Sequence, residues 1–175
     1  VNISNSVISI GDDAFSGCGN LKSVTIPNSV TSIGIGAFYR CKSLESFTIP
    51  EGSAEIKESV FRECENLKSV TIPNSVKKIK ERAFYRCFSL AAVDISNVKT
   101  LGGYVFEQCR NLKSIILSKD LQVISMFSFR YCIKLRNITM PDKLVNVRVN
   151  AFRNCDIRNL VFPPTLISIF DYAFE

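Results

Sequence analysis

Residues 33–50 read IGIGAFYRCKSLESFTIP, and residues 56–73 repeat the same pattern as IKESVFRECENLKSVTIP. Extended in both directions, the pattern gives phenylalanines spaced by 22 or 23 residues: Phe15, Phe38, Phe61, Phe84, Phe106, Phe129, Phe152 and Phe174. A cysteine stands three residues after each phenylalanine except the last: Cys18, Cys41, Cys64, Cys87, Cys109, Cys132 and Cys155. A fixed period of this length is typical of a protein built from stacked repeats.

Each repeat combines two kinds of apolar spacing. Residues 70–72 (VTI) alternate apolar and polar side chains, as in a strand with one buried face. From Ala37 to Leu44 the apolar residues are spaced by about three, as in a single helical or 3₁₀ turn. Pro73 follows the strand directly and ends it, because proline has no N–H to donate to a sheet. The repeats predict a β-rich solenoid of stacked parallel strands and short helical or 3₁₀ turns, with little long helix.

Two of the repeats are one residue shorter than the others. One residue is missing between Ile95 and Val98, and another between Cys155 and Leu160. Both gaps fall where a turn is expected, so we predict that the strands remain aligned across them.

The repeat resembles the BspA-type leucine-rich repeats over essentially the whole chain. The resemblance is clearest in the unit that contains Ser75, Val76, Ile79, Ala83, Phe84, Cys87, Leu90, Val93 and Ile95. These 23-residue repeats occur in cell-surface proteins of bacteria and some parasitic protists. The resemblance implies a curved leucine-rich-repeat-like solenoid, exposure at the cell surface, and binding to a protein or to extracellular matrix on a host surface.

The repeats leave no room for a second domain within residues 1–175. No shift in composition marks a linker, so we expect one array of about seven to eight units of 22–23 residues. Val1 aligns with strand position Val24, and Phe174 is not followed by the rest of its unit. Because neither end shows a polar cap, we expect the array to be truncated at both ends, with flanking repeats or domains in the full-length chain.

The composition restricts the partners. The net charge of +6 is moderate, and no run of five like charges occurs, so a solvated surface and an acidic partner both fit. No apolar run approaches the ~18 residues of a membrane span, which argues against membrane insertion. A leading segment of the signal-peptide type is also not seen.

The cysteines do not form a recognisable chemical motif. Side chains in one column point the same way, whereas a disulfide needs converging Cβ vectors, so we expect free, buried thiols that act as small apolar residues. The chain has no histidine to complete a zinc site or to activate a cysteine nucleophile. We therefore expect no metal, no cofactor and no enzymatic activity.

The exposed positions of the strands are the best candidates for a binding surface. The position after the recurring leucine is mostly basic, the next is mostly serine or asparagine, and two further on it is mostly threonine. The candidate binding residues are Lys22, Ser23, Thr25, Ser46, Thr48, Lys68, Ser69, Thr71, Asp94, Lys113, Ser114, Arg136, Asn137, Thr139, Arg158 and Asn159. Solenoids often bind partners along such a face, although serine and threonine are also ordinary residues of exposed strands.

The sequence is compatible with three functions. The first is a non-enzymatic interaction or adhesion module, a repeat segment of a larger cell-surface or secreted protein. The second is a cytoplasmic scaffold, because free cysteines suit a reducing compartment. The third is a binder of acidic polymers, glycan or nucleic acid, along the basic edge of the strands.

Overall fold

The computed structural model describes residues 1–175 and contains twelve short strands and no helix. The strands are β1 (Ser9–Ile10), β2 (Ser32–Ile33), β3 (Ser46–Thr48), β4 (Glu55–Ile56), β5 (Ser69–Thr71), β6 (Lys78–Ile79), β7 (Ala92–Ile95), β8 (Thr100–Leu101), β9 (Ser114–Leu117), β10 (Val123–Ile124), β11 (Asn146–Val147) and β12 (Ser168–Ile169). Every pairing between them is parallel. The predicted solenoid of stacked parallel strands is confirmed.

The strands form two rows that run along the stack. The first row contains β3, β5, β7 and β9, and single parallel bridges at Asn2–Thr25 and Asn137–Asn159 extend it toward both ends. The second row contains β1, β2, β4, β6, β8, β10, β11 and β12. Each coil of the chain contributes one position to each row, and a segment of turns closes the coil.

Across the two short repeats, paired strand residues are 22 rather than 23 positions apart, and the strands remain stacked. Glu55 pairs with Lys78, 23 residues on, whereas Lys78 pairs with Thr100, 22 residues on. The second deletion has the same effect where Asn146 pairs with Ser168. The predicted alignment across both gaps is confirmed, because the missing residues come from the turns.

The turn segment is built differently from a regular helix. Within a coil, Tyr39 N–H bonds to Gly36 O and Cys41 N–H to Phe38 O, which are the i to i−3 bonds of a 3₁₀ turn. The intervening Phe38 and Arg40 N–H groups instead donate to carbonyls of the next coil. A helix would keep all these bonds within one coil, so the predicted helical turn becomes a chain of linked turns.

This pattern requires left-handed backbone at two positions in each complete coil. Thirteen non-glycine residues, among them Arg40, Ser59 and Glu63, have φ between 53° and 62°. The left-handed region costs ~1–2 kcal/mol for a residue with a Cβ. All but Tyr172, in the last coil, donate their N–H to the following coil, as Glu63 does to Tyr85 O at 2.8 Å. Contacts between coils offset the local cost.

The phenylalanines form the centre of the core. The eight rings stack in sequence with centroids 5.1–5.9 Å apart and nearly parallel planes. Six of the eight belong to one cluster of 43 buried residues, and the two end rings, Phe15 and Phe174, pack against it. Each coil buries its ring only by lying on its neighbours, so the core is continuous along the stack.

The cysteine column is free of disulfides, as predicted. Its thiols also have a role that the sequence did not reveal: Cys64 Sγ donates to Phe38 O of the preceding coil at 3.1 Å, and Cys87 Sγ donates to Phe61 O at 3.1 Å. The expectation that all seven are buried is wrong at the ends. Cys18 is exposed and Cys155 is half-buried, and these two are the first and last cysteines of the column.

Candidate interaction surfaces

The first row of strands carries all the binding residues proposed from the sequence, and we call its exposed side the strand face. Every one of those side chains is exposed: Lys22, Ser23, Thr25, Ser46, Thr48, Lys68, Ser69, Thr71, Asp94, Lys113, Ser114, Arg136, Asn137, Thr139, Arg158 and Asn159. The alternation of the strands produces this arrangement, since Ser46 and Thr48 face solvent while Phe47 enters the core. The residues therefore lie on one continuous surface.

Side chains from successive coils are direct neighbours on the strand face. Ser46 lies opposite Ser69, and Thr48 lies opposite Thr71, in parallel register. Parallel strands are spaced by ~4.8 Å. The face thus presents a regular lattice of hydroxyl groups.

The basic edge of the strand face is partly neutralised. Lys68 Nζ lies 2.7 Å from Glu45 Oε2 of the preceding coil, and this hydrogen bond lowers the pKa of Glu45. Asp156, which the sequence did not assign to this surface, contacts both Arg136, at 3.0 Å, and Arg158, at 3.3 Å. The edge is less basic than its column of lysines and arginines suggests.

The strand face changes character toward the C-terminal coils. In the threonine column, Ile116 is 57% exposed and Val161 is 84% exposed. Thr139 and Val161 border an open depression of ≈ 710 Å³ that is also lined by Phe162 and Pro163. This end offers an apolar contact surface beside the hydroxyl lattice.

A second surface lies along the turn segments, and the sequence interpretation missed it. We define the turn face as the positions two before, one after and two after each buried phenylalanine. Four of the five tyrosines of the chain occupy it: Tyr39, Tyr85, Tyr104 and Tyr131. Six arginines occupy it as well: Arg40, Arg62, Arg82, Arg86, Arg130 and Arg153. None of the lysines lies on it. Listing each column of the repeat by residue type would have revealed this separation.

The arginines of the turn face stack on aromatic rings. The Arg62 guanidinium carbon lies 5.2 Å from the centre of the Tyr39 ring and 5.5 Å from that of Tyr85, one coil away on either side. The Arg82 guanidinium lies 4.6 Å from the ring of Tyr104. Contacts within about 6 Å are attractive because the ring face is electron-rich, so the rings hold these side chains in place.

Two buried glutamates lie beneath the arginines and differ in their ionisation. Burial opposes ionisation of Glu63, but its hydrogen bond with Arg40 Nε, at 2.8 Å, and the nearby arginine charges outweigh burial and lower its pKa. Burial raises the pKa of Glu107, and its contact with Arg130, 3.4 Å between Nη1 and Oε1, does not compensate. The folded protein therefore favours the ionised form of Glu63, whereas ionisation of Glu107 lowers the stability of the fold.

Neither surface contains a recognisable catalytic or metal-binding arrangement. No three histidine, cysteine, aspartate or glutamate side chains are grouped closely enough to hold a metal ion. The structure also has no helix with the length and apolarity needed to span a membrane.

Solved structures support the architecture. The chain is similar to a leucine-rich repeat protein of T. pallidum, with 28% identity and a TM-score of 0.83 over 89% of this chain and 76% of that one. It is similar to a leucine-rich repeat protein of Bacteroides ovatus, with 28% identity and a TM-score of 0.76 over 97% of this chain. A leucine-rich repeat protein of Eubacterium ventriosum gives 29% identity and a TM-score of 0.81 over 95% of this chain. The chain spans about half the length of the last two, 52% and 45%.

Sequence comparison identifies the repeat itself. No curated protein matches the sequence. The model of the BspA type leucine rich repeat region matches in six copies, over residues 1–113 and 99–175. The stacked phenylalanines, the parallel strand rows and this match agree: the chain belongs to the BspA-type leucine-rich repeat family.

Proposed function

We propose that the chain is a non-enzymatic protein-interaction module, a repeat segment of a larger cell-surface or secreted protein, and that it binds a protein or matrix ligand through the strand face. The observation that carries the proposal is the exposed lattice of the first strand row, fixed by backbone pairing at Ser46–Ser69 and Thr48–Thr71. Such an extended, rigid surface suits an extended partner. The leucine-rich repeat family supports interaction as the role.

The composition of the strand face fits a ligand held by many weak contacts. The hydroxyls offer hydrogen bonds, and Ile116 and Val161 offer apolar contact at one end. No tyrosine or tryptophan lies on the face, so a few dominant anchors are not expected there. A ligand would have to cover several coils to bind tightly.

The location at the cell surface and the adhesive role rest on the family resemblance. Surface labelling of intact cells that carry the full-length protein tests the location. Labelling of the protein in intact cells supports the proposal, whereas labelling only after lysis supports a cytoplasmic scaffold.

Binding itself can be tested on purified protein. A panel of purified extracellular-matrix proteins is immobilised, and the parent chain is compared with a Thr48→Arg/Thr71→Arg variant, which puts two bulky charges on exposed neighbouring positions. We expect saturable binding of the parent to at least one ligand and loss of at least tenfold in affinity in the variant. Binding that both proteins share equally, or no binding at all, would reject the strand face as the site.

Acidic polymers are the second candidate for the strand face. Lys22 and Lys113 lack an acidic partner within 4 Å and leave part of the edge available to them. Binding of heparin would weaken steeply with added salt. The pairing of Lys68, Arg136 and Arg158 with neighbouring carboxylates makes this function the weaker of the two.

A further inference from the structure

We propose that the turn face is a second interaction surface, separate from the strand face, and that its partner is an acidic protein segment whose carboxylates contact the stacked arginines. In the six central coils the turn face carries six arginines and two glutamates, a net charge of +4 within a chain whose net charge is +6. Two-thirds of the excess positive charge therefore lies on a face that the strand-based proposal does not use.

The separation of arginine from lysine is the first reason for this assignment. The chain has 22 basic residues, yet the basic residues of the turn face are all arginines, and four of the five tyrosines lie on it. Solubility requires only charge, which lysine supplies equally well. Arginine and tyrosine together are the residue types enriched at the centres of protein interfaces.

The second reason is the rigidity of the arginines. The Arg62 and Arg130 side chains are 37% and 27% exposed, whereas Lys68 on the strand face is 64% exposed. Tyr39 and Tyr85 fix Arg62 from both sides. A side chain that is already ordered loses less entropy when it binds, so each contact on this face yields more affinity than one to a lysine that no ring holds in place.

The arginines of the turn face differ in how far they are paired within the chain. Arg40 and Arg62 contact Glu63, whereas Arg86 has no acidic partner within 4 Å. The planar guanidinium matches a carboxylate with two parallel hydrogen bonds. Stacking on a ring leaves the outer edge of the guanidinium in position to form them.

The mixed character of the turn face favours a protein over a polysaccharide. Buried Glu63 and Glu107 lie under the arginines and limit the positive potential, so a densely sulfated chain would gain little there. Because several ring faces are covered by guanidinium groups, they are not free to stack on sugars. A protein segment with separated carboxylates and some apolar surface fits both the charges and the rings.

The test measures binding of a short, fluorescently labelled peptide of alternating glutamate and serine by anisotropy, with a glutamine-for-glutamate peptide as its neutral match. The Arg62→Gln/Arg86→Gln variant should bind the acidic peptide at least tenfold more weakly than the parent. The Lys22→Gln/Lys113→Gln variant removes the same charge from the strand face and should change affinity less than twofold. The neutral peptide should not bind.

A conservative variant separates this role from simple charge and from misfolding. Arg62→Lys/Arg86→Lys keeps the charge, yet lysine cannot form the paired hydrogen bonds, so we expect a loss of at least threefold with an unchanged circular dichroism spectrum. Parent-like binding by this lysine variant would overturn the proposal. So would equal losses in the turn-face and strand-face glutamine variants, or binding of heparin without binding of the acidic peptide. The strand-face Thr48→Arg/Thr71→Arg variant tests the proposed function separately, so one can fail without the other.

Discussion

The strand face and the turn face cover the same core, but the backbone that joins neighbouring coils differs between them. On the strand face, extended backbone pairs in register, as in Phe47 with Val70, and the exposed side chains are mostly lysine, serine and threonine. On the turn face, left-handed residues send their N–H groups to the next coil, and the side chains are ordered arginine and tyrosine. The strand face combines regular backbone with exposed side chains, whereas the turn face combines left-handed backbone with arginine side chains that stack on tyrosine rings.

This difference indicates where selectivity resides. A lattice of hydroxyls with few fixed contacts can accept many ligands, whereas a row of ordered guanidinium groups requires carboxylates at matching positions. Substitutions test this difference between the two faces, and the first one changes the core that both faces share.

Phe84→Ala should affect both faces at once and produce the largest loss of stability. The ring is fully buried between Phe61 and Phe106, so its removal leaves a cavity costing ~3–5 kcal/mol of unfolding free energy. Phe174→Ala at the last coil should cost much less, because that ring is half-buried with one parallel neighbour, Phe152. Urea titrations followed by circular dichroism measure both, and equal costs would contradict a continuous stacked core.

Glu63→Gln should separate the faces through their ion pairs. Glu63 is buried beneath Arg40 and Arg62, and the loss of its charge-assisted hydrogen bond should cost about 1–2 kcal/mol at pH 7. Glu45→Gln, the matched change on the strand face, breaks only an exposed pair with Lys68 and should leave the urea midpoint unchanged. A larger loss of unfolding free energy in Glu45→Gln than in Glu63→Gln would show that the exposed ion pair stabilises the fold more than the buried one.

The stability of these variants should depend on pH with opposite signs. The folded pKa of Glu63 is lowered, so its ionised form stabilises the protein above the unfolded value of about 4.3 and the benefit disappears as pH falls. The folded pKa of Glu107 is raised. Protonated Glu107 therefore stabilises the folded protein most below the unfolded pKa, and this stabilisation is lost as pH rises through the folded pKa. At pH 7 we expect Glu107→Gln to be neutral or stabilising, and we expect the cost of Glu63→Gln to be smaller at pH 3 than at pH 7. Urea titrations at the two pH values check both.

The same substitution, serine to glycine, should have opposite effects on the two faces. Ser59 has φ of 57°, and glycine relieves this strain, so Ser59→Gly should stabilise by about 0.5 kcal/mol after the entropy of the unfolded chain is subtracted. Ser69 lies within β5, where glycine should cost ~0.5–1 kcal/mol. Thermal denaturation gives both signs, and destabilisation by both substitutions would show that the left-handed position is not strained.

Thiol reactivity should report on the turn segments without changing stability. Cys41, Cys64, Cys87, Cys109 and Cys132 are buried. Burial raises the pKa of Cys41 to about 11, so little reactive thiolate forms at neutral pH. With an aromatic disulfide reagent we expect Cys18 to react first, Cys155 more slowly, and the other five only on unfolding. Rapid reaction of Cys87 in the native protein would show that the stack opens.

The sequence was sufficient to predict the architecture and the inward-facing residues. The 22–23-residue spacing from Phe15 to Phe174 led to the parallel stack, and the alternation in residues 70–72 identified the exposed side of the strands. The left-handed backbone at residues such as Glu63 was not predictable in this way, because no glycine marks it and the compensating hydrogen bonds come from the next coil. The turn face was missed for a related reason: Arg62 and Tyr85 lie 23 residues apart and become partners only in the stack.

Acidic protein segments should bind the turn face and leave the strand face free. The most direct measurement is a nuclear magnetic resonance titration of the labelled protein with the glutamate–serine peptide. We predict shifts of the terminal guanidinium signals of Arg62 and Arg86, with unchanged backbone amide signals for β3 and β5. Shifts confined to the amides of those strands, with the arginine signals unmoved, would contradict it.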